Sequence, residues 1–288
     1  MPLVPKALVG KVAKRYVAGE NRTEALETVK ELNALGAMAT LDLLGEEVSD
    51  RDKALAAVKE YEALFAAMTE EGVDANVSIK PTSVGLEIDH DFCRDNIERI
   101  AAVAKEHDNF LRIDMEDRTT TDATLEIYRT LQPRYGNLGV VLQAYMRRTL
   151  SDVAALAGPG SNVRLCKGIY IEPRSVAWKG YGTVRHNFVA ALDKLLAQGT
   201  YVGIATHDEY LACAACALVD RYGLEPSQYE FQMLLGVDEP LRDTLIAQGH
   251  RLRVYVPYGP DWYLYSMRRL RENPEVAGHV ARATLGLS

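Results

Sequence analysis

The run Leu138-Gly-Val-Val-Leu-Gln-Ala144 is short, almost wholly apolar, and carries its one polar side chain, Gln143, near its far end. A strand with one solvated face alternates polar and apolar residues. This one does not, so it reads as a strand covered on both faces, as parallel strands flanked by helices are. Runs of the same kind, rich in β-branched residues, recur at Ala37–Leu43, Ala75–Pro81, Phe110–Glu116, Asn162–Gly168, Tyr201–His207, Tyr229–Leu235 and Arg251–Tyr258.

The segments between them have helical spacing. From Asp50 to Gly72, residues Leu55, Val58, Tyr61, Leu64, Phe65 and Met68 recur every three or four positions. Ser49 or Asp50 can cap the start, and Gly72 suits a left-handed stop. Arg185–Gln198 repeats the pattern with Phe188, Val189, Leu192, Leu195 and Leu196, and Gly199 ends it. Each connection is long enough for a right-handed crossover. Strands joined in this way predict an α/β fold, a (β/α)8 barrel of the TIM type over 37–288, with residues 1–36 as an N-terminal helical appendage. An open doubly wound sheet is the alternative, and it wants a glycine-rich turn after an early strand. Gly158-Pro-Gly160 instead precedes a strand and lacks the third glycine, so it reads as a plain turn.

The chain has 288 residues, 48% hydrophobic and 25% charged, and a net charge of −7. Those fractions belong to globular proteins and argue against a disordered or fibrous chain. With no basic excess to neutralise phosphates, nucleic acid is not the expected partner. The four cysteines are too few for a disulfide framework at this length. Cys213 and Cys216 have redox-motif spacing, but they sit in a small, apolar helical run with no second pair for zinc, so helix packing is expected of them. The N-terminus lacks the apolar core and cleavage pattern of a secretory signal. No stretch approaches the roughly 18 apolar residues of a membrane span. A soluble, cytoplasmic protein is expected.

Catalytic groups of a barrel gather where the strands finish. Here those ends offer Lys80, Asp114 with Glu116 and Asp117, Gln143, Arg164 with Lys167, Thr206 with His207, Gln232, and Tyr255. A single such residue often caps a loop; a set converging on one mouth is harder to explain by stability. Lys80, Arg164 and Lys167 suit anionic groups. Asp114 can pair with one of them, orient it, or act on a proton. Gln143 and Gln232 both donate and accept, which suits a heteroaromatic ring edge. No isolated carboxylate pair suggests glycoside hydrolysis, and His207 lacks a second histidine, so no metal site is expected.

The last helix reads Asp261-Trp-Tyr-Leu-Tyr265-Ser-Met-Arg268-Arg269-Leu-Arg-Glu272. Tyr265, Arg268, Arg269 and Glu272 share one face. Trp262, Leu264, Met267 and Leu270 leave other sides apolar, so the helix is expected to be buried and its arginines to need an anion. A substrate carboxylate would satisfy them.

These motifs resemble the proline dehydrogenase family, flavin-dependent barrel enzymes that oxidise L-proline. The resemblance runs from about residue 38 to 272. It is carried by Leu41-Asp-Leu-Leu-Gly-Glu46, Ser78-Ile-Lys80, Ile113-Asp-Met-Glu116, Leu142-Gln-Ala-Tyr145, Arg164-Leu-Cys-Lys-Gly-Ile-Tyr170, Ala205-Thr-His207, Glu230-Phe-Gln-Met-Leu234, Tyr255-Val-Pro257 and the Tyr-x-x-Arg-Arg-x-x-Glu helix at 265–272. It implies that Asp114 and Arg164 are active-site residues beside the flavin. Lys80, Arg268 and Arg269 would hold the proline carboxylate, with Tyr255, Leu234 and Tyr170 around the ring and Tyr265 beside them. FAD would contact Met115 (through its backbone), Gln143, Arg164, Lys167, Gly168, Ile169, Thr206 and His207. Glu46, with Glu47 as its neighbour, matches an acid that would close over the site by pairing with Arg269. The resemblance further implies hydride transfer to FAD, Δ1-pyrroline-5-carboxylate as product, a membrane quinone as acceptor, and transient peripheral contact with the inner membrane. Cys166, Ile169 and Pro81 depart from the family's usual valine, alanine and leucine. With no aldehyde dehydrogenase region in the chain, the stand-alone enzyme is expected.

Two other readings remain open on the residues alone. One is a Schiff-base barrel using Lys80 or Lys167. The other is a barrel that binds an amino acid or flavin without turnover.

Overall fold

The computed structural model describes residues 15–263, 265 and 266. Arg268, Arg269 and Glu272 of the terminal motif, with Leu264, Met267 and Leu270, lie outside the described residues. The strands are β1 (Met38–Leu43), β2 (Ala75–Ile79), β3 (Leu111–Ile113), β4 (Leu138–Gln143), β5 (Asn162–Cys166), β6 (Tyr201–Ala205), β7 (Tyr229–Leu234) and β8 (Leu252–Tyr258). Each pairs in parallel with the next, and β8 returns to β1, so the sheet closes into a barrel without an edge. Helix α1 (Arg22–Ala34) precedes β1. The crossovers are α2 (Arg51–Glu71), α3 (His90–Glu106), α4 (Thr121–Tyr135), α5 (Thr149–Leu156), α6 (Tyr181–Ala197), α7 (Glu209–Tyr222) and α8 (Glu239–Ala247).

Local chemistry sets these boundaries. Asp50 accepts from the Lys53 N–H at 3.0 Å and starts α2, while Gly72, at φ 63°, ends it in the left-handed region. Asp89 caps α3 in the same way through the Phe92 N–H at 2.8 Å. Ala25, Leu26, Val29 and Leu32 of α1 join the same core as the barrel strands and outer helices.

Three expectations need correction. The apolar runs overshoot the strands at their C-terminal ends, most of all at β3, which ends at Ile113; Asp114 still donates its N–H to the Ile79 carbonyl at 2.8 Å, and Met115 and Glu116 lie beyond the ladder. The chain turns there because its polar groups find partners off the sheet. Glu116 accepts from the Thr82 N–H at 3.0 Å and the Thr82 hydroxyl at 2.5 Å, and so anchors the 3-10 turn Pro81–Val84 rather than facing the mouth. Pro81 has no N–H for the ladder and stands at the first position of that turn.

The strands also alternate after all. Leu41 sits between Thr40 and Asp42, Val77 between Asn76 and Ser78, and Phe231 between Glu230 and Gln232, and every one of these residues is buried. Period-two geometry sends the apolar set to the helices and the polar set into the lumen. Arg112 of β3 crosses that lumen to the Asn162 carbonyl of β5 at 3.0 Å, and Arg253 of β8 reaches the Ala39 carbonyl at 2.6 Å.

In α7, Cys216 Sγ lies 3.6 Å from His250 Nε2, but Cys213 is exposed and so does not pack as expected.

Candidate active site

At the C-terminal mouth, Asp114 and Arg164 form an ion pair, Nη1 to Oδ1, at 2.7 Å. Both are buried. Arg164 Nη2 donates to Ser78 Oγ at 3.0 Å, and its Nε donates to Gln232 Oε1. The second oxygen of Asp114 accepts from the Tyr255 hydroxyl at 2.8 Å. Burial and the charges of Asp114 and Asp42 hold that phenol well above its ordinary titration range, so it remains a donor.

Lys80 stands beside this group. Its Nζ donates to Asp42 Oδ2 at 2.6 Å and to the Tyr255 hydroxyl at 3.3 Å. Burial alone would lower the ammonium, but Asp42 and Asp114 outweigh it and raise its titration above the usual lysine value. Complete burial pushes the Asp42 carboxyl upward against the pull of Lys80. Asp42 Oδ1 is buried and has no hydrogen-bond partner among the described residues. Glu46 Oε1 approaches Lys80 Nζ to 3.9 Å, whereas Glu47 is exposed, at φ 53°. Of the two acids, Glu46 therefore faces the mouth. Tyr265 is buried against Val17 and Leu44, and its phenol raises both Lys80 and Tyr255 electrostatically.

The β4–β6 side has a different character. Gln143 is buried and donates to the Glu116 carbonyl at 2.8 Å. Asp208 gathers Arg185 (2.6 and 2.9 Å), Tyr181 (2.8 Å) and Lys167 (3.3 Å). Burial would raise the Asp208 carboxyl, yet these donors together hold it well below the carboxylate range. Thr206 Oγ1 accepts from the Asp208 N–H at 3.0 Å, and His207 Nε2 accepts from the Leu234 N–H at 2.8 Å. Gly168 turns at φ 105°, where a Cβ would stand 2.1 Å from the Tyr145 ring, so a side chain is barred there. Ile169 and Tyr170 follow in the loop, both half-buried, and Ile171 is 86% exposed.

Asp42, Ser78, Tyr181, Arg185 and Asp208 were not singled out from the sequence. Asp42 could have been: it sits inside the Leu41–Glu46 motif. Arg185 carries no comparable signal, because an arginine in the first turns of a helix reads as solvated until Asp208 is placed beside it. The donor set suits an aromatic dinucleotide. Lys167 and Arg185 are cations fit for a pyrophosphate, and Gln143 and Arg164 offer N–H groups to a polar ring edge. Arg164 has five N–H groups, of which three are engaged below the mouth.

A family model for proline dehydrogenase matches residues 25–282. The chain belongs to the proline dehydrogenase family. It is accordingly an enzyme, a dehydrogenase. Within that family it is 39% identical over 279 residues to the proline dehydrogenase of Deinococcus radiodurans, covering 95% of this chain and 90% of that one. It is 37% identical over 273 residues to proline dehydrogenase 1 of Bacillus subtilis subsp. natto, with the same coverage. In fold it is similar to proline utilization A (PutA) from Bdellovibrio bacteriovorus, whose solved structure is of the protein inactivated by N-propargylglycine. The TM-score is 0.86 at 24% identity over 92% of this chain. This chain spans 33% of that longer protein, and the likeness speaks to the barrel alone.

Proposed function

We propose that the chain oxidises L-proline to Δ1-pyrroline-5-carboxylate on bound FAD, the first step of proline catabolism, and passes the electrons to a membrane quinone. The observation that carries this reading is the buried cluster of Asp42, Lys80, Asp114, Arg164 and Tyr255, which gives one mouth a fixed ammonium, a fixed guanidinium and a fixed phenol donor. FAD, when bound, supplies the hydride acceptor; the protein supplies position and field. Gln143, Arg164, Lys167, Gly168, Ile169, Thr206, His207 and the backbone of Met115 would hold it, with Arg185 joining Lys167 at the phosphates.

Lys80, locked by Asp42, would take the proline carboxylate together with Arg268 and Arg269. Tyr255, Tyr265, Leu234 and Tyr170 would enclose the ring. Three cations on one carboxylate fix which ring carbon faces its acceptor, the positioning contribution to catalysis. Glu46 would close the mouth by pairing with Arg269. Hydride can leave only while the nitrogen lone pair is free, so the site must take the amine neutral, and the rate of flavin reduction rises with pH. We assign catalysis to residues 37–288, with 1–36 as a covering appendage, and expect peripheral contact with the inner membrane at the quinone step.

A Schiff-base mechanism at Lys80 is disfavoured by its ion pair with Asp42 and its raised titration, since a nucleophilic lysine needs the opposite shift. The test is direct. The purified protein should be yellow with FAD and bleach anaerobically on adding L-proline; a colourless protein, or colour indifferent to proline, ends the proposal. Arg269→Ala should raise the proline KM strongly and leave FAD bound.

A further inference from the structure

Beneath the mouth, one buried chain of hydrogen bonds passes from β8 through β7 and ends on Arg164. Glu230 of β7 receives two of the three Arg253 nitrogens, Nε on Oε1 at 2.8 Å and Nη2 on Oε2 at 3.1 Å, and the Tyr201 hydroxyl on Oε2 at 3.0 Å. Burial would raise its carboxyl, but Arg253, Gln232 and Arg112 together draw it down to about 2, so Glu230 is a fixed anion. Gln232 lies two residues on and shares its face of the strand. Its Nε2 donates to Glu230 Oε1 at 2.5 Å, and its Oε1 accepts from Arg164 Nε.

A carboxylate only accepts hydrogen bonds. Glu230 therefore dictates that the amide nitrogen of Gln232 faces it, which leaves the carbonyl for Arg164. Gly203, on the adjoining β6, makes room for this amide: a Cβ there would stand 2.5 Å from Gln232 Nε2. Arg164 is then held at all three nitrogens, by Gln232, by Asp114 at 2.7 Å and by Ser78 at 3.0 Å. Its two remaining N–H groups, one on each terminal nitrogen, have fixed directions.

We propose that Glu230 and Gln232 are positioning residues for Arg164. Glu230 sets the Gln232 amide, Gln232 sets the Arg164 Nε, and the rate of proline oxidation depends on this relay. The inference rests on the reading above that Arg164 stands beside the flavin.

The test uses the FAD-loaded enzyme. Gln232→Met removes the amide, keeps most of the volume and leaves the Glu230–Arg253 pair in place. It should retain FAD and the wild-type proline dissociation constant, while the rate constant for flavin reduction at saturating proline falls by about 10- to 100-fold. In an Arg164→Lys background, which has no Nε–H to receive, the same substitution should cost nothing further. Gly203→Ala, which crowds the amide without altering any charge, should slow reduction in the same direction. If Gln232→Met lowers only the melting temperature, or costs the same factor in both backgrounds, the relay is overturned. A wild-type protein that takes up FAD but is not bleached by proline overturns the underlying reading, and the relay with it.

Discussion

Tyr255 and Asp114 meet across the barrel lumen, phenol to carboxylate at 2.8 Å, although 141 residues separate them in the chain. Asp114 thereby has one oxygen on Tyr255 and the other on Arg164. Tyr255→Phe strips the donor from a buried carboxylate oxygen and should cost about 1–3 kcal/mol in urea unfolding. Because the change also frees Asp114 to turn, the rate of flavin reduction should fall as well. An unchanged rate would separate the phenol from the chemistry.

Asp42→Asn leaves the buried Lys80 ammonium without its closest counter-charge. Removing one member of a buried pair costs about 3–5 kcal/mol, and the proline KM should rise because Lys80 is no longer held toward the carboxylate. Thermal unfolding and steady-state kinetics with an artificial acceptor check the two effects separately.

The Glu230 carboxyl lies at about 2 rather than its ordinary 4.5. A depressed carboxyl contributes stability that is present above the unfolded value and is lost as pH falls through the folded one. The protein should therefore lose on the order of 3 kcal/mol from this group between about pH 4.5 and 2. Urea midpoints across that range should fall, and Glu230→Gln should flatten that part of the slope.

Arg185→Ala removes the closest cationic partner of Asp208 and, on the proposed reading, one of the two cations that would meet the phosphates. FAD should bind more weakly and with less dependence on salt, as read by ultrafiltration of the yellow protein. The proline dissociation constant of the remaining holoenzyme should not change.

Gly139→Ala places a Cβ 2.3 Å from Nη1 of the buried Arg112 and 2.6 Å from Cζ of the half-buried Phe110. Overpacking of this kind costs about 1–3 kcal/mol, and the melting temperature should drop while FAD binding persists.

The barrel was legible in the sequence because short runs rich in apolar and β-branched residues recur between helices, and the helices carry their own caps. The ends of the strands were not, since Glu116 leaves the ladder for Thr82, a partner 34 residues away. The polar lining of the lumen was hidden for the same reason. Arg112 inside an apolar run is a contradiction until Asn162 and the Val140 carbonyl lie beside it. Lys80, Asp114, Arg164 and Tyr255 stood out as chemistry at strand ends, and they come together. Asp42 did not, although it sits inside the Leu41–Glu46 motif, because its meaning lies in a lysine 38 residues on.

The seam between the first and last strands has a consequence for timing. Arg253 reaches Ala39 across 214 residues, and Tyr255 reaches Lys80 across 175. Contacts this remote form late, after the cost of closing very large loops has been met. A nascent chain still emerging from the ribosome with β1 to β7 made therefore holds Lys80 and Arg164 but lacks the tyrosine that joins them. On the reading proposed above, a polypeptide released before its last strand would therefore lack the phenol that fixes Asp114 and should not oxidise proline.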